Sequence, residues 1–317
     1  MEITIGTRGS KLALWQAQWV KGQLEQLKPG LAVNLRIIKT TGDKILDVPL
    51  SKVGGKGLFV KEIEESLLRG ESDIAVHSMK DVPTDFPDGL HLAAICQRED
   101  PRDAFVGRQG IGSFDAMPDG AMLGTSSLRR SCQLLNLNPN LKIIQLRGNL
   151  DTRLRKLDDG LCDAIILAVA GMKRLGVEGR ITGILPVDIS LPAIGQGAVG
   201  IECRSGSNNN ISQSKDELIN SLAGQLNHEA TAVCVRAERA FLKRLEGGCQ
   251  VPIAAYATLN DGGGIRIAGL VGSVDGKVMI RGGFEGDSES VGVALAEDLI
   301  RRGAGEILRE VYENNKG

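Results

Sequence analysis

Short apolar runs alternate with amphipathic helical patterns along the first two thirds of this 317-residue chain. Residues 2–6 are typical of a strand, and Ser10 is placed to cap a helix whose apolar residues recur every three or four positions. Residues 33–39 and 73–77 have the pattern of the next strands, and a helical pattern over 57–68 separates them. This alternation predicts βαβ units and a sheet with parallel strands.

The same alternation restarts after Asp100 and is interrupted near Pro192, before another strand-like run at 198–203. We therefore expect hinges near these two residues, where the chain passes from one α/β lobe to a second and back. Two such crossings would place a ligand cleft between the lobes. The strands predicted in the second lobe are 121–124, 142–146 and 163–168, and its helices are 127–135 and 149–157.

The last third of the chain has a different pattern, which predicts a small α+β domain. A polar segment at 205–214 precedes it and is expected to be a surface loop. A long helical pattern at 291–312 ends the chain, with an expected interruption at Gly303. The other predicted elements are helices at 215–226 and 229–245 and strands at 253–259, 264–271 and 277–284.

Composition narrows the class of protein. A formal net charge of −1 excludes the global basic field of nucleic-acid binders, and 3% aromatic residues leave few base-stacking side chains. The N-terminus lacks the pattern of a signal peptide, and no apolar stretch is long enough to span a membrane. Six cysteines without CxxC spacing and three scattered histidines predict free thiols and no metal site. These observations favour a cytoplasmic enzyme.

Arginines concentrate in two loop-like stretches, GTSSLRR at 124–130 and LRGNLDTRLR at 146–155. The Gly, Ser, Thr and Asn residues beside them expose backbone N–H groups at turns and helix starts. A guanidinium binds a carboxylate or phosphate through two parallel hydrogen bonds. The cluster therefore predicts a ligand with several negative groups.

Two further strand-to-helix junctions are candidate sites, each with a structural alternative. HSMKDVP at 77–83 follows a predicted strand, so that Asp81 can act as a general acid/base and Lys80 can bind an anion. The alternative is an exposed ion pair leading into a turn. Arg8 and Ser10 lie at the other junction, where the alternative is a helix cap beside a solvent-facing arginine.

Two glycine-rich segments also carry candidate residues. SKVGGKGLF at 51–59 is either a mobile lid or a plain linker, because its spacing is not that of a phosphate-binding loop. LEGGCQVP at 245–252 can form a tight exposed loop, in which the thiol of Cys249 is open to electrophiles and can be a covalent attachment point. The alternative for Cys249 is a buried, inert thiol.

Eight strings in this order resemble the porphobilinogen deaminase family, also called hydroxymethylbilane synthases, over essentially the whole chain. They are TRGSKLALWQAQ, GGKGLFVKE, HSMKDVP, GTSSLRR, LRGNLDTRL, AIILAVAGMKRLG, IGQGAVGIECR and LEGGCQVP. The resemblance implies a transferase of tetrapyrrole, porphyrin and heme biosynthesis. Such an enzyme condenses porphobilinogen head to tail, releases ammonia, and hydrolyses off the linear tetrapyrrole hydroxymethylbilane.

The resemblance also implies the architecture. It is α/β, with two periplasmic-binding-protein-like lobes joined by two hinge crossings, plus a small α+β C-terminal domain. Residues 1–99 and 197–222 would form the first lobe, 100–196 the second, and 223–317 the domain carrying the cysteine. The polar segment at 205–214 is longer and more polar than in this family, a departure that bears only on the boundary near residue 220.

Site residues follow from the same resemblance. Cys249 would carry a dipyrromethane cofactor through a thioether, and Asp81 would stabilise a cationic azafulvene and move protons. Lys56 and Phe59 would belong to a mobile loop over the site, and Arg155 is not carried over. The groups expected to bind the carboxylates of the cofactor and substrate are Arg8, Lys80, Arg129, Arg130, Arg147, Arg153 and Arg174, with Ser10, Thr125, Ser126, Ser127, Asn149 and the hinge residue Gln196.

The resemblance implies a cytoplasmic monomer that uses the small molecule porphobilinogen and needs neither nucleic acid nor membrane. One alternative is a non-catalytic, two-lobed anion-binding protein. The lobes alone would allow it, but Asp81 and Cys249 would have no purpose there. A nucleotide-dependent transferase is disfavoured because the sequence contains no complete phosphate-binding loop.

Overall fold

The computed structural model describes residues 1–44, 57–205, 213–248 and 250–314. These residues form two compact units, of which the first holds those within 1–44, 57–99 and 198–232 and the second those within 100–197 and 233–314. Within the described residues, the chain therefore changes unit between Glu99 and Asp100, between Gly197 and Ala198, and again between Ala232 and Val233. Lys56 and Cys249 lie outside the described residues, as does most of the polar segment at 205–214.

The strands are numbered in chain order. They are β1 (Glu2–Thr7), β2 (Ala32–Ile37), β3 (Ile74–Ser78), β4 (Leu90–Ile95), β5 (Asp103–Gly107), β6 (Met122–Gly124), β7 (Lys142–Ile144), β8 (Ala164–Ala168), β9 (Gly183–Leu185), β10 (Val199–Arg204), β11 (Ile253–Leu259), β12 (Ile265–Gly272) and β13 (Met279–Gly286).

The α-helices are numbered in the same way, and no helix in the described part of the chain is long and apolar enough to cross a membrane. They are α1 (Lys11–Leu27), α2 (Thr41–Lys44), α3 (Lys61–Leu68), α4 (Leu128–Leu137), α5 (Leu150–Asp158), α6 (Val169–Arg174), α7 (Gln213–Gly224), α8 (Glu229–Arg244), α9 (Ser290–Leu299) and α10 (Gly305–Asn314).

The first unit is built on a five-stranded sheet in the order β2-β1-β3-β10-β4. Strand β1 is parallel to β2 and β3, as the alternation predicts. Strand β10 is antiparallel to both its neighbours, so the prediction of parallel strands is wrong there. The reason is topological: the chain re-enters this unit opposite the end of β3, where Val199 pairs with Ser78, and runs back along it. Apolar side chains of α1, including Val20 and Leu24, pack on this sheet.

The second unit contains two sheets. One has the order β7-β6-β8-β5-β9, in which β6 is parallel to β7 and β8 while β5 is antiparallel to β8 and β9. The other is the antiparallel sheet β11-β12-β13, whose core includes Phe241 of α8 and Leu295 of α9. A Cβ on Gly292 would lie 2.0 Å from the Ala237 carbonyl oxygen, so only glycine allows α8 and α9 to approach this closely.

The predicted α/β class is confirmed: each unit holds one five-stranded sheet with parallel strands, and the small antiparallel sheet with its helices is the expected α+β part. The interruption expected at Gly303 is also confirmed. Gly303 has φ of 102° and separates α9 from α10.

Candidate active site

The junctions after β1 and β3 meet at one small pocket in the first unit. Because β1 and β3 are parallel neighbours, residues that follow them lie at the same edge of the sheet. Arg8 follows β1, and Asp81 closes a 3₁₀ turn, Met79–Asp81, directly after β3. Both line a cavity of about 60 Å³, whose other polar walls include Ser10, Gln16 and Ser78.

The polar walls of this pocket are held by hydrogen bonds. The Ser10 Oγ accepts from the backbone N–H of Ala13 at 3.3 Å, which confirms the predicted helix cap. The Gln16 side-chain amide donates to the Ser78 Oγ at 2.9 Å. Asp81 and Lys80 are both half-buried. The carboxylate of Asp81 therefore faces a pre-formed polar cavity.

Arg8 is not the solvent-facing arginine of the structural alternative. Its Nη2 lies 2.5 Å from Oδ1 of Asp43, and its Nε lies 3.2 Å from the same oxygen. The ring of Phe59 lies under the guanidinium, with 4.2 Å between Cζ and the ring centroid. Burial alone would raise the pKa of Asp43, but the hydrogen bonds and charge of Arg8 lower it below the usual range.

Beneath the pocket lies a buried group of ionisable side chains. His77, which lines the cavity, pairs through Nε2 with Oε2 of Glu202 at 2.9 Å, and both residues are at most 5% exposed. Glu64 on α3 is the second buried carboxylate here. Burial, then repulsion from Glu202, raises the pKa of Glu64 from 4.5 to about 7. Sequence patterns did not indicate this group, because Glu202 lies 125 residues from His77 along the chain.

Replacing Glu64 by glutamine is expected to stabilise the protein at pH 8 and to have little effect at pH 4. The pKa of Glu64 is higher in the folded protein than in the unfolded chain, so its contribution to stability is present below about pH 4.5 and is lost as pH rises through about 7. The variant should gain on the order of 1–3 kcal/mol at pH 8. Urea unfolding of both proteins at the two pH values measures this, and equal differences at both would contradict it.

The first arginine stretch forms a buried ion cluster in the second unit. Arg129 and Arg130 are each 5% exposed, and both bind Asp103 of β5, which is fully buried. The Nη1 of Arg129 lies 2.7 Å from Oδ2 of Asp103, and Nη2 of Arg130 lies 2.6 Å from Oδ1. Burial would raise the pKa of Asp103, but the two arginines lower it far below its usual range. Their predicted contact with ligand carboxylates stays a prediction.

Two polar atoms beside this cluster are buried without a hydrogen-bond partner among the described residues. They are the Oγ of Ser126 and the Nε of Arg129. Thr125 is also buried, and its Oγ1 accepts from the backbone N–H of Ser127 at 3.2 Å. Buried polar atoms are normally satisfied, so orphaned ones at a strand-to-helix junction indicate a ligand or water that completes them.

The second arginine stretch presents half-buried side chains at the start of α5. Asn149 caps this helix, since its Oδ1 accepts from the backbone N–H of Thr152 at 3.0 Å. Arg153 donates through Nε to the Gly148 carbonyl at 2.8 Å, and Arg147 is half-buried. Arg155, which was not carried over, is exposed.

Two further predicted residues of the second unit, Arg174 and Gln196, contact or belong to the segment that ends at Gly197. Arg174 at the end of α6 donates to the Gly197 carbonyl oxygen at 2.6 Å. The amide of Gln196 donates to the Pro101 carbonyl at 2.7 Å and to Asp103 Oδ1 at 3.0 Å. Gln196 thus ties the segment before the second crossing to the residues just after the first.

Two residues shortly before Cys249 have special backbone environments. Glu246 has φ of 53°, and its carbonyl accepts a hydrogen bond of 2.8 Å from the Tyr312 hydroxyl. A Cβ on Gly247 would lie 2.5 Å from Cδ1 of Ile253, so this position favours glycine. The five described cysteines are buried thiols, and burial raises the pKa of the Cys132 thiol to about 12. These five thiols are therefore poor nucleophiles.

Residues 3–212 match the family model described as "Porphobilinogen deaminase, dipyromethane cofactor binding domain", and residues 232–301 match "Porphobilinogen deaminase, C-terminal domain". The porphobilinogen deaminase of Geobacter metallireducens is 56% identical over 315 residues, which cover 98% of this chain and 95% of that protein. That of Geotalea uraniireducens is 55% identical over 314 residues, with the same coverage. Among solved structures, the methionine binding protein MetQ has a TM-score of 0.44 at 15% identity, covering 71% of this chain and 89% of that one.

Proposed function

This chain belongs to the porphobilinogen deaminase family, and on that premise we propose which of its residues carry the reaction. The enzyme is a transferase that condenses porphobilinogen head to tail, releases ammonia, and forms the linear tetrapyrrole hydroxymethylbilane. The observation that carries the assignment is the shared pocket of Arg8 and Asp81, a cation and a carboxylate at one sheet edge. Incubation of the protein with porphobilinogen should release ammonia together with hydroxymethylbilane, and release of neither would refute the assignment.

Asp81 is the proposed acid/base of this pocket. Loss of the aminomethyl nitrogen as ammonia leaves a positive charge on the pyrrole, and a fixed carboxylate beside the ring N–H stabilises that charge. The same oxygen can take and return the protons that move during each condensation. Its position in the short turn after β3 supports this role, because the turn holds the side chain at the pocket wall.

Arg8 is the proposed partner for a substrate carboxylate. Porphobilinogen carries acetate and propionate groups, and the guanidinium of Arg8 offers the two-pronged geometry that such groups match. Ser10, Lys80 and Phe59 are proposed to complete this part of the site, and Lys56 is proposed to act with Phe59 in the mobile loop. We propose that side chains around this small cavity move when substrate binds.

The junctions of the second unit fit the dipyrromethane cofactor. The unsatisfied Ser126 Oγ and Arg129 Nε are buried donors at the start of α4, where a ligand carboxylate would complete their hydrogen bonding. When bound, the cofactor supplies the pyrrole carbon to which the chain is extended. We assign its attachment to Cys249, and we assign its carboxylates and those of the growing chain to Thr125, Ser126, Ser127, Arg129, Arg130, Arg147, Asn149, Arg153, Arg174 and Gln196.

Replacing Arg147 by leucine is expected to lower kcat/KM for porphobilinogen by about 10- to 100-fold, because a charge-assisted carboxylate contact is lost. Steady-state kinetics on cofactor-loaded protein measures this. The matched control is Arg155→Leu, which removes the same charge from an exposed position on α5, the helix that follows Arg147. Equal kinetics in the two variants would remove Arg147 from the site.

We also propose that the enzyme is a monomer in the cytoplasm, divided at residues 1–99 with 197–222, 100–196 and 223–317. The separate sheet in each of these three portions supports the division. Sedimentation equilibrium should give the mass of one chain, 33.7 kDa. A dimer mass would contradict the monomer.

A further inference from the structure

The guanidinium of Arg8 is already bound by a carboxylate of the protein itself. Asp43 meets it through both oxygens, with Nη2 to Oδ1 at 2.5 Å and Nε to Oδ2 at 3.3 Å. Asp43 is in turn fixed by Thr40, whose Oγ1 donates to Oδ2 at 2.8 Å. This is the two-pronged arrangement in which an arginine binds a ligand carboxylate.

Phe59 packs against both Arg8 and the residue before Asp43. Its ring stacks on Arg8, and Gly42, the residue before Asp43, packs so closely that an added Cβ would lie 2.2 Å from the ring. The Arg8 side chain is only 22% exposed as a result. Arg8 therefore has a carboxylate on its donor edge and a ring on its face. A substrate carboxylate can bind the Nε and Nη2 of Arg8 only after Asp43 has moved away from them.

We propose that Asp43 is an internal competitor for Arg8, which occupies the guanidinium in the absence of substrate and is displaced by a substrate carboxylate. This inference rests on the proposed role of Arg8. One hydrogen-bonded ion pair replaces another, so a carboxylate alone gains little by the exchange. Porphobilinogen gains more, because its pyrrole N–H and aminomethyl group also meet the pocket of Asp81. The competitor weakens every carboxylate that needs Arg8 by the same factor, so that only a ligand with further contacts still binds tightly.

A competitor and a positioning residue make opposite predictions for affinity. If Asp43 only oriented Arg8 for substrate, its loss would weaken substrate binding. If Asp43 competes, the observed dissociation constant equals the intrinsic one divided by the fraction of Arg8 that is free, and removal of the competitor tightens binding. The direction of change in KM therefore decides between them.

The test is Asp43→Asn in the cofactor-loaded enzyme, with loading verified by intact mass. We expect KM for porphobilinogen to fall about three- to tenfold, because a partly buried ion pair no longer holds Arg8. We expect kcat to change by less than about twofold. Thr40→Val, which removes only the Oγ1 donor to Asp43, should lower KM in the same direction by a smaller factor. It serves as the second variant should Asp43→Asn fail to fold.

Two controls separate this effect from others. Glu62→Gln removes a nearby charge that accepts from Thr41 rather than from Arg8, and its KM should stay at the wild-type value. In an Arg8→Gln background, adding Asp43→Asn should leave KM unchanged, because the competitor acts only through Arg8.

Each contrary result has one meaning. A higher or unchanged KM in Asp43→Asn would overturn the competitor, and so would an equal fall in Glu62→Gln, which would indicate a general charge effect. A wild-type KM in Arg8→Gln alone would instead refute the proposed function of Arg8. A raised KM in Arg8→Gln with a wild-type KM in Asp43→Asn would overturn the competitor alone.

Discussion

Replacing Asp81 by asparagine is expected to lower kcat by at least about 100-fold while leaving the fold and the bound cofactor intact. Asparagine has nearly the same shape, so the 3₁₀ turn Met79–Asp81 and the pocket wall should persist. The variant lacks the negative charge that stabilises the cation left by ammonia loss, and it cannot carry a proton between steps. Initial rates of porphobilinogen consumption at saturating substrate measure the effect.

The matched control for Asp81 is Asp85→Asn. Asp85 lies four residues further along the same loop, is exposed, and contacts Thr84 rather than the pocket. It should retain kcat within about twofold, since surface substitutions away from a site are usually small in effect. Near-normal kcat in Asp81→Asn would remove Asp81 from the chemistry, and equal losses in both variants would indicate damage to the loop.

Replacing Cys249 by serine is expected to abolish normal attachment of the cofactor and with it nearly all activity. A thiolate is a strong nucleophile toward a cationic pyrrole methylene carbon, whereas a serine hydroxyl at neutral pH is not. The five cysteines that the structure describes are buried thiols and cannot replace it. Intact mass after denaturation, together with the ammonia assay, measures both losses.

Cys162→Ala is the control for this substitution, because it removes a buried thiol that we assign no role. It should keep the full mass of the bound group even if it loses some stability. A Cys249→Ser protein that carries the cofactor through a thioether at another residue would contradict the assignment of Cys249.

Much of the fold was predictable because it depends on local patterns. The cap at Ser10, the apolar face of α1 and the break at Gly303 each follow from residues within a few positions of one another. The direction of β10 was not predictable in this way, since it depends on where the chain re-enters the first unit. Strands β4, β5 and β9 were not predicted. No helical pattern separates β4 from β5, so the alternation of strands and helices did not indicate them.

The same distinction between local and long-range patterns applies to the candidate site. Parallel strands bring Arg8 and Asp81 to one edge of the sheet, and the sequence pattern was enough to expect this. The counter-ions were missed because they are distant in sequence. Asp43 lies 35 residues from Arg8, and Asp103 lies 26 residues from Arg129. The sequence shows where arginines cluster along the chain, but it does not show which carboxylate each arginine binds.

We propose that the enzyme carries a dipyrromethane covalently bound to Cys249. The intact mass of freshly purified, denatured protein tests this attachment most directly. Denaturation removes every non-covalent ligand. We predict a mass above that of the bare chain by two linked pyrrole units, with the excess on the peptide that contains Cys249. A bare-chain mass that stays unchanged after incubation with porphobilinogen would contradict the claim.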